Sequence, residues 1–133
     1  MDSKIMTVTL AVKNKAEALE FYTKKLGFEK KTDFHYPDGT RWVTVRPGGQ
    51  DVDLALWQPG SPDPSGMSRN WRAGQGLPIV LSVDNCQETC NELKSKGVEF
   101  RQEVHEVPYG VVAFICDLDG NLFEIFQAKA PQG

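Results

Sequence analysis

Glu124 is the residue of this chain with the most chemical promise, because it interrupts the apolar run Leu122-Phe123-Glu124-Ile125-Phe126 directly after the turn Asp117-Leu118-Asp119-Gly120-Asn121. A carboxylate flanked in this way either lies on a solvated strand face or projects into an enclosed site, where it can serve as a general base or a polar anchor. Other reactive side chains are placed less suggestively. His35 and His105 each precede a turn, which favours surface or hydrogen-bonding roles over metal ligation. Cys86 and Cys90 stand one helical turn apart and Cys116 sits in an apolar strand; buried thiols in a reducing compartment are favoured over a metal or redox pair. Segment 58–76 holds four glycines and three prolines together with Arg69, Trp71 and Arg72. It reads as a linker, which acts as a lid over a ligand, as a subunit contact, or simply as a solvent loop with one docked Trp.

The elements that must position these groups are legible from periodicity. Thr7-Val8-Thr9-Leu10-Ala11-Val12 alternates as a half-buried strand, and Asn14 with Glu17 forms a capping box that opens a helix with Leu19, Tyr22 and Leu26 on its apolar stripe. Strands are expected over 28–35, 41–46 and 51–57, separated by the turns Tyr36-Pro37-Asp38-Gly39 and Pro47-Gly48-Gly49. The same order then returns: a strand over 77–83, the cap pair Asn85 and Glu88, the stripe Cys86, Cys90 and Leu93, and strands over 98–105, 111–116 and the closing 122–126. Asn14 corresponds to Asn85, Gly27 to Gly97 and Leu54-Ala55-Leu56 to Phe123-Glu124-Ile125, each roughly 70 residues apart. That offset indicates a duplicated β-α-β-β-β module, with module 1 over 5–57, the linker over 58–76 and module 2 over 77–128 of a single domain.

Each small sheet must cover one face with its own helix and curl its other face into a cup. The more apolar parity should meet the helix: Val8, Leu10, Val12, Leu54, Leu56, Ile79, Leu81, Val83, Phe123 and Ile125. The opposite parity lines the cup: Thr7, Thr9 and Ala11 on the first strand, Asp53, Ala55 and Trp57 on its partner, and in the second module Pro78, Val80, Ser82, Leu122, Glu124 and Phe126. This mixed, small set suits a small-molecule pocket.

The bulk properties narrow the partners. A length of 133 residues fits one domain that folds without disulfide or metal support. A net charge of -3 from interspersed signs argues against nucleic acid or an anionic membrane as the main partner. No apolar run approaches the ~20 residues of a membrane span, and the start of the chain lacks an apolar signal region, so a cytoplasmic location is expected.

Val8-Thr9-Leu10-Ala11-Val12 leading into Ala18-Leu19-Glu20-Phe21-Tyr22 and Leu26-Gly27-Phe28, together with Asp117-Leu118-Asp119-Gly120-Asn121-Leu122-Phe123-Glu124, resembles the vicinal oxygen chelate superfamily of glyoxalase, bleomycin-resistance and dioxygenase-like proteins. Arg41-Trp42-Val43-Thr44-Val45 with Pro47 is similar to small bacterial glyoxalase-like members. The resemblance implies an α+β fold of paired β-α-β-β-β modules and homodimerisation. It also places four metal-ligand positions, at the start of the first strand and the end of the last strand of each module, on Thr7, Ala55, Pro78 and Glu124. Only Glu124 is a normal ligand, so no cofactor is expected and a divalent metal is disfavoured.

Three functions stay open. The leading one is metal-free binding of a small organic molecule by Trp42, Trp57, Phe126 and Trp71 as stacking surface, with Glu124 and Asp53 drawing a cationic or hydrogen-bond-donating group. The second is a metal-independent lyase or isomerase with Glu124 as general base and Arg41 or Tyr109 polarising the substrate oxygen. The third is a divalent-metal glyoxalase or dioxygenase using Glu124 with an unexpected ligand such as His105.

Overall fold

A computed structural model describes residues 1–133 apart from Ser3, 62–67, Arg69, Leu77 and 130–133. The expectations placed on Arg69, Leu77 and the centre of the linker therefore lie outside the described residues. The chain forms two compact units, Met1–Gly76 and Leu77–Gly133.

The first unit runs β1 (Thr7–Ala11), α1 (Lys15–Glu20), a π-helical turn (Phe21–Lys25), β2 (Glu29–His35), β3 (Arg41–Arg46) and β4 (Asp53–Trp57). Its four-stranded sheet has the order β1-β4-β3-β2, with β1 parallel to β4 and the other pairs antiparallel. The second unit repeats the plan with β5 (Ile79–Ser82), α2 (Cys86–Ser95), β6 (Glu99–Val107), β7 (Gly110–Cys116) and β8 (Leu122–Ala128), in the order β5-β8-β7-β6. Even an irregularity is duplicated. The β2–β3 register slips between Lys30 and Thr32, and the β6–β7 register slips between Phe100 and Gln102.

Local chemistry explains why the helices start where they do. Asn14 Oδ1 accepts the Glu17 N–H at 2.9 Å and Asn85 Oδ1 accepts the Glu88 N–H at 3.0 Å, each satisfying a donor that helix geometry leaves without a partner. A second junction is also shared: Gln58 Oε1 accepts the Lys15 N–H at 3.3 Å, and Gln127 Oε1 accepts the Cys86 N–H at 2.8 Å. In both units the first residue of the helix is thus tied to the end of the strand that pairs with the unit's first strand, through the residue after β4 or the last residue but one of β8.

The cores lie between each sheet and its helix. In the first unit Leu10, Val12, Val43, Val45, Leu54 and Leu56 are buried with Ala18, Phe21 and Tyr22. In the second unit Cys86, Cys90 and Leu93 of α2 are buried together with Ala113, Ile115, Phe123 and Ile125, as the alternation requires. Full burial of a side chain such as Phe123 stabilises the fold by about 1.5–3 kcal/mol.

Two expectations need correction. The stripe on α1 is Lys15, Ala18, Phe21 and Tyr22, whereas Leu19 and Leu26 are only half-buried. The cause is the π-turn, in which Leu26 N–H bonds to Phe21 O; the wider turn shifts the phase so that two consecutive aromatics face inward. Val8, assigned to the helix-facing parity, is 38 % exposed because β1 is an edge strand with a partner on one side only.

Candidate functional site

The turn that carries the second unit's chemistry is built around Asp117. Its Oδ1 accepts the N–H groups of Asp119 at 2.9 Å and Asn121 at 2.8 Å, and its Oδ2 accepts Asn121 Nδ2–H at 2.8 Å. Gly120 takes φ 91°, a conformation that a side chain would strain, and no other residue type in the described chain has positive φ. This rigid turn fixes where β8 begins and so which β8 side chains face away from α2.

Register defines that helix-free face. Glu124 is paired with Val80 of β5 on one side and Phe114 of β7 on the other, while Leu122 and Phe126 flank it along β8. Glu124 is half-buried, and among the described residues no hydrogen bond or ion pair engages its carboxylate. Val80 is 56 % exposed. Tyr109, expected as a polarising group, is 62 % exposed, and its ring stands 6.0 Å from that of Phe126. The second unit therefore gathers an acid, two aliphatic side chains and three aromatic rings. Phe114 was not foreseen as part of this set; its parity with Val112 and Cys116 on β7 is the signal that could have found it.

The helix-free face of the first unit has a different character. The positions matching Val80, Glu124 and Phe114 are Thr9, Ala55 and Thr44, in register across β1, β4 and β3. Thr7 is half-buried, Thr9 exposed, and Ala55 fully buried. Trp42 is half-buried and pairs with Phe34 across β2 and β3. Pro78 is exposed just before β5. Trp71 is 40 % exposed, and its carbonyl accepts Arg72 Nη1–H at 3.4 Å.

Three expected site residues are committed elsewhere. Arg41 alternates with Trp42 and so lies on the opposite side of β3; its Nε and Nη2 donate to Asp33 Oδ1 and Oδ2, both at 2.8 Å. That pair raises the Arg41 pKa and holds the Asp33 carboxyl below its ordinary value, chiefly through the hydrogen bonds between them. Arg41 is thus removed from the helix-free face. Asp53 is neutralised by Arg46, whose Nε lies 2.5 Å from Asp53 Oδ1, so it offers no free charge to a cationic ligand. Trp57 donates its indole N–H to Ser68 Oγ at 3.1 Å, and Lys15 Nζ lies 4.8 Å from its ring centroid, which leaves one ring face occupied internally.

The metal positions implied by the fold fit an ion poorly. They carry a hydroxyl (Thr7), a methyl (Ala55), a proline ring (Pro78) and one carboxylate (Glu124), whereas a catalytic site needs about three protein ligands. Among the described residues no three His, Cys, Asp or Glu side chains converge. His105 is exposed, with Nδ1 against the Glu103 carbonyl at 2.8 Å. The cysteines are buried thiols. Burial raises the pKa of all three, and pushes that of Cys90 up to about 12. Among the described residues no helix is long and apolar enough to cross a membrane.

Paired β-α-β-β-β modules, each a helix on a four-stranded sheet, define a class of protein. The model described as the Glyoxalase/Bleomycin resistance protein/Dioxygenase superfamily matches residues 4–125, and the chain belongs to that superfamily. It is 37 % identical over 127 residues to the uncharacterized protein YurT of Bacillus subtilis (strain 168), covering 93 % of this chain and 98 % of that one. The crystal structure of TnmS3, an antibiotic binding protein from Streptomyces sp. CB03234, superposes with a TM-score of 0.80 at 26 % identity, over 96 % of this chain and 98 % of that chain. A lactoylglutathione lyase of Neisseria meningitidis serogroup A is 26 % identical over 135 residues, covering 96 % of this chain and 92 % of the lyase.

Proposed function

We propose that this protein binds a small, mostly apolar organic molecule on its helix-free sheet surface, with Glu124 as the polar anchor and without a catalytic metal. The observation that carries this reading is the half-buried Glu124 carboxylate, which has no partner among the described residues and sits between Val80, Phe114, Leu122 and Phe126. A carboxylate in such surroundings favours a ligand that supplies a cation or strong donor, while the rings supply stacking area. Within the second unit Pro78 is a further ligand-facing residue of this reading; Thr7, Thr9 and Trp42 belong to the separate helix-free face of the first unit, and a homodimer is the proposed assembly. Likeness to an antibiotic binding protein supports it.

Isothermal titration with planar organic amines and their neutral isosteres tests it. Glu124→Gln should weaken the amines by about 10- to 100-fold, the loss of one charge-assisted hydrogen bond of 1.5–3 kcal/mol, and leave the neutral compounds unchanged. Equal affinities in both proteins, or no binding tighter than about 1 mM across the panel, would reject it.

A second reading draws on Tyr109, which stands beside Phe126, and on the similarity to lactoylglutathione lyases. Here Glu124 is the general base of a lyase or isomerase. Glu124→Gln would then abolish turnover while leaving substrate affinity intact, the reverse of the binding reading.

A further inference from the structure

Beside the junction of β1 and α1 lies a cleft of about 240 Å³ whose lining includes Asn14, Lys15, Arg41, Gln58 and Ser61. None of its described lining residues is acidic. Lys15 is only 6 % exposed. It donates from Nζ to the Arg41 carbonyl and lies against the Trp57 ring, and among the described residues no carboxylate pairs with it. The neighbouring guanidinium is already neutralised in bidentate fashion by Asp33, so among the described residues of the cleft the Lys15 charge has no carboxylate partner. Burial, and after it the nearby Arg41, lower the Lys15 pKa.

The two carboxamides of the cleft are oriented by the backbone. Asn14 Oδ1 is engaged by the Glu17 N–H and Gln58 Oε1 by the Lys15 N–H, so each side chain has its NH2 group left to offer. A lysine is not required by the fold at this point. The duplicated junction in the second unit keeps the asparagine cap and the glutamine bond but begins its helix with Cys86, fully buried, its thiol 3.7 Å from the Ile125 carbonyl. The first unit thus retains a buried cation, at an energetic cost, where its duplicate is neutral.

We infer that this cleft is a binding site for a small oxyanion, a carboxylate or phosphate head held between Lys15 Nζ and the carboxamide NH2 groups of Asn14 and Gln58. The anion supplies the counter-charge that no described residue provides there. The site uses none of the Glu124 surroundings, so it stands or falls separately from the ligand surface described above.

The test is a titration of the ¹⁵N-labelled full chain with inorganic phosphate and, separately, with benzoate, at ionic strength held constant with chloride. Saturable shifts confined to the amides around Lys15, Arg41 and Gln58 are expected. Saturation by phosphate alone assigns a phosphate head, and by benzoate alone a carboxylate. Lys15→Met removes the charge at similar length and should abolish saturation. Gln58→Glu places a carboxylate inside the cleft, and should abolish saturation while raising the thermal midpoint; this variant carries the test should Lys15→Met fail to fold. Shifts that grow linearly without saturating, or unchanged affinity in Gln58→Glu, would overturn the inference.

Discussion

Gly110→Ala should be among the most damaging single-methyl additions in the chain. Gly110 opens β7 opposite Ala128 of β8 and closes the hairpin with Val107. A Cβ built there would stand 2.1 Å from the Gln127 carbonyl oxygen and 3.2 Å from both the Gln127 carbonyl carbon and Phe126 Cε2. Because the closest atom is backbone, no rotamer change relieves the clash, and the two strands must separate. Overpacking of this kind costs about 1–3 kcal/mol, and the upper value applies because backbone has to move. With an unfolding entropy of about 2.1 cal/mol/K per residue, a chain of 133 residues loses roughly 11 °C in Tm for 3 kcal/mol. Calorimetry on reversible, refolded samples measures this directly. Gly48→Ala is the control, since nothing lies within 4 Å of its added Cβ, and its Tm should stay within about 2 °C of wild type. A drop for Gly110→Ala of less than about 3 °C would refute the argument, because the strands would then have room the geometry denies them. If the proposed ligand surface is correct, the same variant should also weaken binding there, because Phe126 would be displaced.

Asp33→Asn should cost about 1 kcal/mol at neutral pH by breaking the half-exposed bidentate pair with Arg41. Because the folded Asp33 pKa lies below the ordinary 3.8, the pair's contribution is complete above that value and is lost as pH falls through the folded pKa. The Tm difference between wild type and variant should therefore close in strongly acid solution, and a constant gap would contradict the assignment. The three cysteines, buried and raised in pKa, should resist a thiol reagent at pH about 8 in the native protein and all react once it is denatured; fast native labelling would contradict their burial. Thr44 Oγ1 is buried with no hydrogen-bond partner among the described residues, so Thr44→Val should raise stability by about 1 kcal/mol. An equal loss measured in the same melting experiment would reveal a partner, such as a bound water.

Much of the fold was legible because its signals are local and occur twice. The asparagine caps, the Arg41–Arg46 strand and the α2 stripe of Cys86, Cys90 and Leu93 are all found where periodicity and capping chemistry place them. The α1 stripe was misplaced because sequence periodicity assumes one helical repeat, and the π-turn changes it partway. Site residues were legible only as far as strand parity reaches. Parity brings Glu124, Leu122 and Phe126 onto one face, but it says nothing of pairing between side chains. For that reason Asp53 and Arg41 looked available when Arg46 and Asp33 already engage them. Lys15 was missed although it stands three residues before Ala18 and seven before Tyr22, on the buried helical phase. A lysine on such a stripe is ordinarily assigned to solvent.

The duplication itself indicates where chemistry has been added. Both units need a capped helix, a tied junction and an apolar parity under the helix, and at those positions they match in kind: Asn14 with Asn85, Gln58 with Gln127, Leu54 and Leu56 with Phe123 and Ile125. Differences at equivalent positions are not demanded by the scaffold, since the other copy folds without them. By that criterion Glu124 against Ala55, Phe114 against Thr44 and Lys15 against Cys86 are three of the substitutions that the fold does not explain. Two of the three place a charge where its duplicate is neutral, in surroundings where an unpaired charge is costly. The carboxylate lies on the helix-free face of one unit and the ammonium near the helix of the other. Glu124 is therefore the residue on which the proposed ligand surface depends, and the proposed oxyanion site depends on Lys15 at the β1–α1 junction of the other module.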